Sequence, residues 1–290
     1  MTDMKRRSIA EIFALILEVA QSHDDILAVV LEGSRGKADT IDDQFQDFDV
    51  VFLVESLAPY VEDHQWIDVF GPRIIMQTPS MMNLYEQSSP DRGSFAFLML
   101  LADHHRIDLT LIEINYLHQL RLDPEYKVLL DKKGILKSNL DLIEFRSFDL
   151  NTPNQKEFTD CCNEFWWVLT YVGKGLCRDQ ILYAKHMMEG PVREMFLRML
   201  GWTAGVRHGF PLNPGKAGKL LRKFFPDVEW QAILGTFSDH RPENMWKALF
   251  RMMELFHEYA KEVEKMLSFK YNTMEAQNVR KYLEYLMATY

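Results

Sequence analysis

The 290-residue sequence is poor in cysteine, holds no long apolar run and has no excess of basic residues. Each shortage excludes a class of protein. The three cysteines, Cys161, Cys162 and Cys177, are odd in number and two are adjacent in a helical stretch, so no disulfide framework is implied and reduced core residues are expected. The strongest apolar run, residues 95–102, stops at Asp103-His104-His105-Arg106, well short of the roughly 18 residues that suggest a membrane span. Residues 1–7 are basic, yet residues 8–20 place Glu11 and Glu18 among apolar residues at helical spacing, so no secretory signal is expected and a cytoplasmic location follows. With 33 Lys and Arg against 42 Asp and Glu, the formal charge is -9. That balance argues against a protein that grips a nucleic-acid backbone and suits a cationic small molecule instead. Internal repeats and low-complexity tracts are also lacking.

What is present is a chain with 47% hydrophobic and 26% charged residues, the balance of an ordinary folded protein. Its length suits two domains of roughly 150 residues each. The apolar period of residues 8–23 predicts an amphipathic helix. Residues 26–31 read as a buried strand ending in Glu32-Gly33-Ser34, and residues 48–54 as a second, beyond an aspartate-rich loop at 37–46. Residues 73–77, 95–101 and 107–112 supply three more strands, the last two close enough for a hairpin. Polar text and Thr152-Pro153 mark a break, after which apolar residues recur at helical spacing in segments divided at Gly190-Pro191, residues 209–215 and Pro226, the last helix covering residues 273–288. The reading is an α+β chain: residues 1–150 form a mixed β-sheet flanked by helices, and residues 151–290 an all-helical bundle.

The chemistry concentrates in Gly33-Ser34-Arg35 and in Asp47-Phe48-Asp49 at the head of an apolar strand. Side chains two apart on a strand share a side, so Asp47 and Asp49 present two carboxylates together while Phe48 faces the other way. Two like charges side by side are costly unless a cation lies between them, and magnesium, a hard ion that shares oxygen ligands with substrate phosphates, fits that role. Asp108 shares a face with Thr110 on a different strand and can complete the site. The Gly33-Ser34 turn permits close backbone approach, and its amides and hydroxyl can hold phosphate oxygens.

Gly-Ser, then Asp-x-Asp, then a distant strand carboxylate resembles the nucleotidyltransferase superfamily whose fold is like that of DNA polymerase β. The longer text LEGSR at 31–35, FQDFD at 45–49, WIDVFGPRIIMQ at 66–77 and RIDLTLI at 106–112 looks like the aminoglycoside 6-adenylyltransferase family, which modifies streptomycin. DCCNEFWWVLTYVGK at 160–174, ILYAK at 181–185 and GKAGK at 215–219 extend the resemblance over nearly the whole chain. Departures are few: Cys177 stands where a tryptophan is expected, Gln180 where an acid is, and Glu194 where a proline is. The resemblance implies a nucleotidyltransferase catalytic domain at 1–150 and a substrate-binding domain at 151–290. It implies attack of a drug hydroxyl on the α-phosphorus of ATP, with pyrophosphate leaving and Mg2+ stabilising the phosphates. Asp47 and Asp49 would be metal ligands, and Asp108 a ligand, the catalytic base, or both. Gly33, Ser34, Arg35, Lys174 and Lys185 are the nucleotide-binding candidates, with Arg178 a further cation. Glu164, Trp166 and Trp167 are candidates for the cationic drug. The chain would act as a monomer or homodimer, without nucleic acid or membrane.

Plainer readings stand beside these. The Trp166-Trp167 pair suits core packing, the two lysines suit a solvated helix surface, and Asp103-His104-His105 suits an exposed turn. His257-Glu258 lacks the second histidine of a zinc-protease helix, and residues 209–217 lack the spacing and the hydroxyl residue of a Walker A loop. The same metal site could serve an RNA or protein acceptor, or persist in an inactive regulatory module.

Overall fold

In the computed structural model, which describes residues 5–36, 43–84, 93–139, 141, 143–145 and 149–289, the first helix is fastened at its start. Ser8 and Glu11 close a capping box at the head of α1 (Ile9–Ser22): the Glu11 amide donates to Ser8 Oγ at 3.2 Å and the Ser8 amide to Glu11 Oε2 at 2.6 Å. The apolar face of α1 carries Ile12, Ile16 and Val19, all buried. After it come β1 (Ile26–Glu32), the single turn α2 (Gly33–Gly36), β2 (Phe48–Val54), the short α3 (Ala58–Glu62), β3 (Arg73–Gln77), β4 (Ser94–Leu101) and β5 (Arg106–Glu113). A pair of two-residue strands, β6 (Arg121–Leu122) and β8 (Glu144–Phe145), brackets β7 (Lys127–Asp131) and α4 (Ile135–Ser138).

The main sheet runs β3-β4-β5-β2-β1-β7. Only β5 and β2 are parallel; the other neighbours are antiparallel, so the sheet is mixed as expected. One face packs Val29, Leu31, Phe48, Val50, Phe52, Phe97 and Leu109 against α1. The opposite face covers Ala28, Val30, Val51 and Leu53 with Leu117, Leu120, Leu136 and Ile143. Because β1 and β2 are buried on both faces, they read as unbroken apolar runs, whereas β4 alternates buried and half-buried residues. The edge strand β7 escaped the sequence reading, since its residues are only half buried or exposed and give no clear alternation.

The chain divides into two compact units, Met1–Ser147 and Phe148–Tyr290. The second is helical: α5 (Gln155–Cys177), α6 (Ile181–Met187), α7 (Arg193–His208), α8 (Asp227–Leu234), α9 (Pro242–Leu267) and α10 (Thr273–Thr289). Asn154 and Glu157 cap α5 as Ser8 and Glu11 cap α1. Phe165 of α5 stacks on Phe256 of α9 with ring centroids 3.6 Å apart. Gly173 lets α10 approach, for a Cβ there would lie 2.4 Å from the Leu283 side chain. The expected break at Gly190-Pro191 is corrected: a π-helical turn over Met188–Val192 carries the helix from α6 into α7. A wider turn accommodates the missing proline amide without stopping the helix. Among the described residues no helix is long and apolar enough to cross a membrane. Residues 37–42 of the aspartate-rich loop, and 146–148 at the expected domain boundary, lie outside the described residues.

Candidate active site

Strand register places the acids. Asp49 of β2 stands opposite Glu32 of β1 on one side and opposite Asp108 of β5 on the other. Residues paired across neighbouring strands point to the same face, so the three carboxylates form a row across the sheet. Asp47 precedes β2 by one residue, and Phe48 between the two aspartates is fully buried on the opposite face. Burial, then the charges of Asp108 and Asp47, push the Asp49 carboxyl up to about 6. Burial also raises Asp47, with Asp108 adding to it and Arg106 opposing. Both shifts have burial as their largest cause, and the neighbouring carboxylates add to it.

The turn α2 fits against this row. Gly33 has φ +69°, and a Cβ on it would fall 1.9 Å from Asp49 Oδ2. Any side chain would therefore displace the carboxylate as well as strain the backbone. The Ser34 carbonyl accepts from Gln46 Nε2 at 3.3 Å. Arg35 lies over the Phe48 ring at 4.3 Å and donates through Nη2 to the Gln46 carbonyl at 2.8 Å. Its guanidinium thus braces the segment that leads into Asp47.

Two charged neighbours of the aspartates were missed. Glu32 is buried and accepts from the Asp123 amide at 2.8 Å. Arg106 donates from Nε and Nη2 to the two oxygens of Asp108, at 2.8 and 2.7 Å, while its Nε lies 3.7 Å from Asp47 Oδ2. A period-two pattern from Arg106 to Asp108 could have shown that the two share a face, but not that they meet. Among the described residues no three His, Cys, Asp or Glu side chains are grouped to hold a metal ion by themselves. Magnesium does not require such a cage: one or two carboxylates with substrate phosphates and water are its usual set. The hard oxygens of Asp47 and Asp49, two residues apart at the head of β2, match that donor chemistry.

The remaining candidates belong to the helical unit. Lys174, in the last turn of α5, lies 4.8 Å from the Tyr171 ring centroid. Lys185 of α6 donates to the Ser238 carbonyl at 2.6 Å and is 3.9 Å from Glu189 Oε1, so it fastens the segment before α9. Glu164 is exposed on α5. Trp166 is buried and donates from Nε1 to the Tyr271 hydroxyl at 3.0 Å, a core position, whereas Trp167 is 59% exposed and donates to the Tyr171 hydroxyl at 2.7 Å. Only part of Trp166 reaches a cleft, which it shares with His257, Glu258 and Arg280.

The turn expected at Asp103-His104-His105 is present, but only His104 is exposed. Asp103 and His105 are buried, Arg7 Nε donates to Asp103 Oδ2 at 2.5 Å, and His105 Nε2 lies 2.8 Å from the Arg7 carbonyl. Burial alone would raise the Asp103 carboxyl, but hydrogen bonds from Arg7 and the His105 amide outweigh it and hold it below the usual carboxylate range. The turn clamps the segment leading into α1.

Comparison with known proteins bears on this arrangement. The family model described as streptomycin adenylyltransferase matches residues 6–286. An aminoglycoside 6-adenylyltransferase of Campylobacter jejuni is 36% identical over 91% of this chain and 91% of its own length. One from Bacillus subtilis (strain 168) is also 36% identical, over 96% of this chain and 97% of its own. A crystal structure of an aminoglycoside 6-adenyltransferase from Bacillus subtilis aligns with 98% of this chain and 100% of its own at 32% identity and a TM-score of 0.49. With a family match over nearly its whole length and relatives of this identity and coverage, the chain belongs to the streptomycin adenylyltransferase family.

Proposed function

We propose that the protein transfers AMP from ATP to a hydroxyl of an aminoglycoside, streptomycin at its 6-position being the first acceptor to test, and releases pyrophosphate. The observation that carries this reading is the register of β2 and β5, which sets Asp49 and Asp108 side by side with Asp47 at the strand head. Asp47 and Asp49 would hold a magnesium ion. When bound, that ion supplies positive charge against which the triphosphate and the leaving pyrophosphate are stabilised. Asp108 either adds a ligand or accepts the proton of the acceptor hydroxyl at a carboxylate oxygen. The backbone at Gly33 and Ser34 offers N–H donors to phosphate oxygens, and the close seat of Asp49 against Gly33 keeps that carboxylate fixed. Glu164, exposed on α5, is the helical unit's candidate for an ammonium or guanidinium of the drug, and Lys174 its candidate cation for the nucleotide. The charge of -9 favours such a cationic acceptor over RNA.

Mass spectrometry of streptomycin incubated with the purified protein, ATP and magnesium tests the reading, beside a control without metal. An adduct of one AMP that appears only with metal is the expected result. No adduct and no ATP consumption across a panel of aminoglycosides would overturn it.

A further inference from the structure

The carboxylate row already contains a cation, Arg106. It is the first residue of β5, and its side chain turns back along the strand to grip Asp108 two residues on. Both oxygens of Asp108 are engaged in a fork-to-fork pair, the strongest geometry an arginine offers a carboxylate. The same guanidinium lies 3.7 Å from Asp47, so it stands between a carboxylate of β5 and the one that leads into β2. Asp49, behind them, has no cation at such a distance among the described ion pairs.

From this geometry we propose that Arg106 is a built-in counter-cation that competes with the divalent metal for Asp108. The inference rests on the metal reading above. In the metal-free protein the guanidinium neutralises Asp108 and keeps the acids from repelling one another. A metal ion that took Asp108 as a ligand would compete with it, since both oxygens of Asp108 already accept from Arg106 and two cations at one carboxylate repel each other. The side chain can leave without disturbing the fold: it is about half exposed, at 47%, and sits at the start of the strand rather than in the core. The metal-free site is thereby stable but binds metal weakly, and loading depends on whatever draws the guanidinium away, for which an anionic phosphate is the matching chemistry.

The experiment is manganese binding followed by electron paramagnetic resonance, without nucleotide, on the wild type, Arg106→Gln, Asp49→Asn and the double variant. Arg106→Gln should bind manganese about five- to tenfold more tightly than the wild type, the equivalent of freeing one partly exposed ion pair. Adding Asp49→Asn should abolish the gain. Equal or weaker binding by Arg106→Gln, with Asp49→Asn still impaired, would overturn the competition while leaving the metal reading intact. Absence of binding by every variant would overturn both. Melting curves of the four proteins separate loss of fold from loss of affinity.

Discussion

Asp49 shows how a single side chain can work against the fold that holds it. Its carboxyl is raised to about 6 by burial and by Asp108 and Asp47, so at neutral pH ionisation costs folding free energy. The sign follows directly: stability present at low pH is lost as pH rises through the raised value. Asp49→Asn removes that cost and the proposed metal ligand together. Adenylyl transfer should fall by at least about a thousandfold, whereas the metal-free variant should melt a few degrees higher, for a gain of about 1–2 kcal/mol after allowance for solvent screening. Differential scanning calorimetry beside the transfer assay reads both, and unchanged turnover would remove Asp49 from the site. A destabilised residue at a reactive position is the usual price of function.

Among the elements, the turn of the β4–β5 hairpin is tied to the segment that leads into α1. Arg7 and Asp103 lie 96 residues apart, yet the Asp103 side chain is fully buried against that one guanidinium. Asp103→Asn should lower stability by about 2–3 kcal/mol, because it leaves Arg7 facing a neutral partner in a partly buried place. The pH dependence has a definite direction. The folded carboxyl is held below its unfolded value of about 3.9, so its contribution is present above that pH and fades as acid brings the medium through the lower folded value. The wild type should lose more stability than the variant on acidification below about pH 4, as urea titrations at several pH values would reveal; parallel loss in both would deny the clamp its role.

The same hairpin shows why some of this was legible in the sequence and some was not. Alternation within one strand is local, so the common face of Asp108 and Thr110, and the burial of Ile107, Leu109 and Leu111 behind them, could be read from residues 106–112 alone. The five strands with clear apolar text were read within a residue or two of their observed limits. What needed a partner from elsewhere was hidden: the burial of Asp103 by Arg7, the alignment of Glu32 with Asp49, and the contacts of Arg35 with Phe48 and Gln46. Register between strands far apart in the chain is set by tertiary packing, and no local pattern records it. Trp166 and Trp167, adjacent and alike in the sequence, ended in the core and at the surface.

At the scale of the molecule the described residues form a cluster on each face of the sheet in the first unit and one around α5, α7 and α9 in the second, and the two units can be followed separately. Burial pushes the Cys161 thiol up to about 12 and raises Cys162 further, and both belong to the helical core. Cys177 is only partly buried. In the folded protein at pH 8 a disulfide reagent should modify Cys177 first, with Cys161 and Cys162 reacting only as fast as the helical unit opens. Three thiols titrating together in the native protein would contradict that core. The parallel pairing of β2 with β5 has a consequence for how such a protein can change over generations. The alignment that seats Ile107, Leu109 and Leu111 in the interior is also the one that brings Asp108 beside Asp49. A deletion or insertion of one residue inside β5, whose buried and half-buried residues alternate over most of its length, would turn apolar groups toward the less buried face and the acid inward at the same stroke, so it would be purged for misfolding before selection could act on its chemistry. Lineages are then free to drift in their loops and helix surfaces, where acceptor preference can shift, while the spacing of the acids is inherited as a by-product of staying folded.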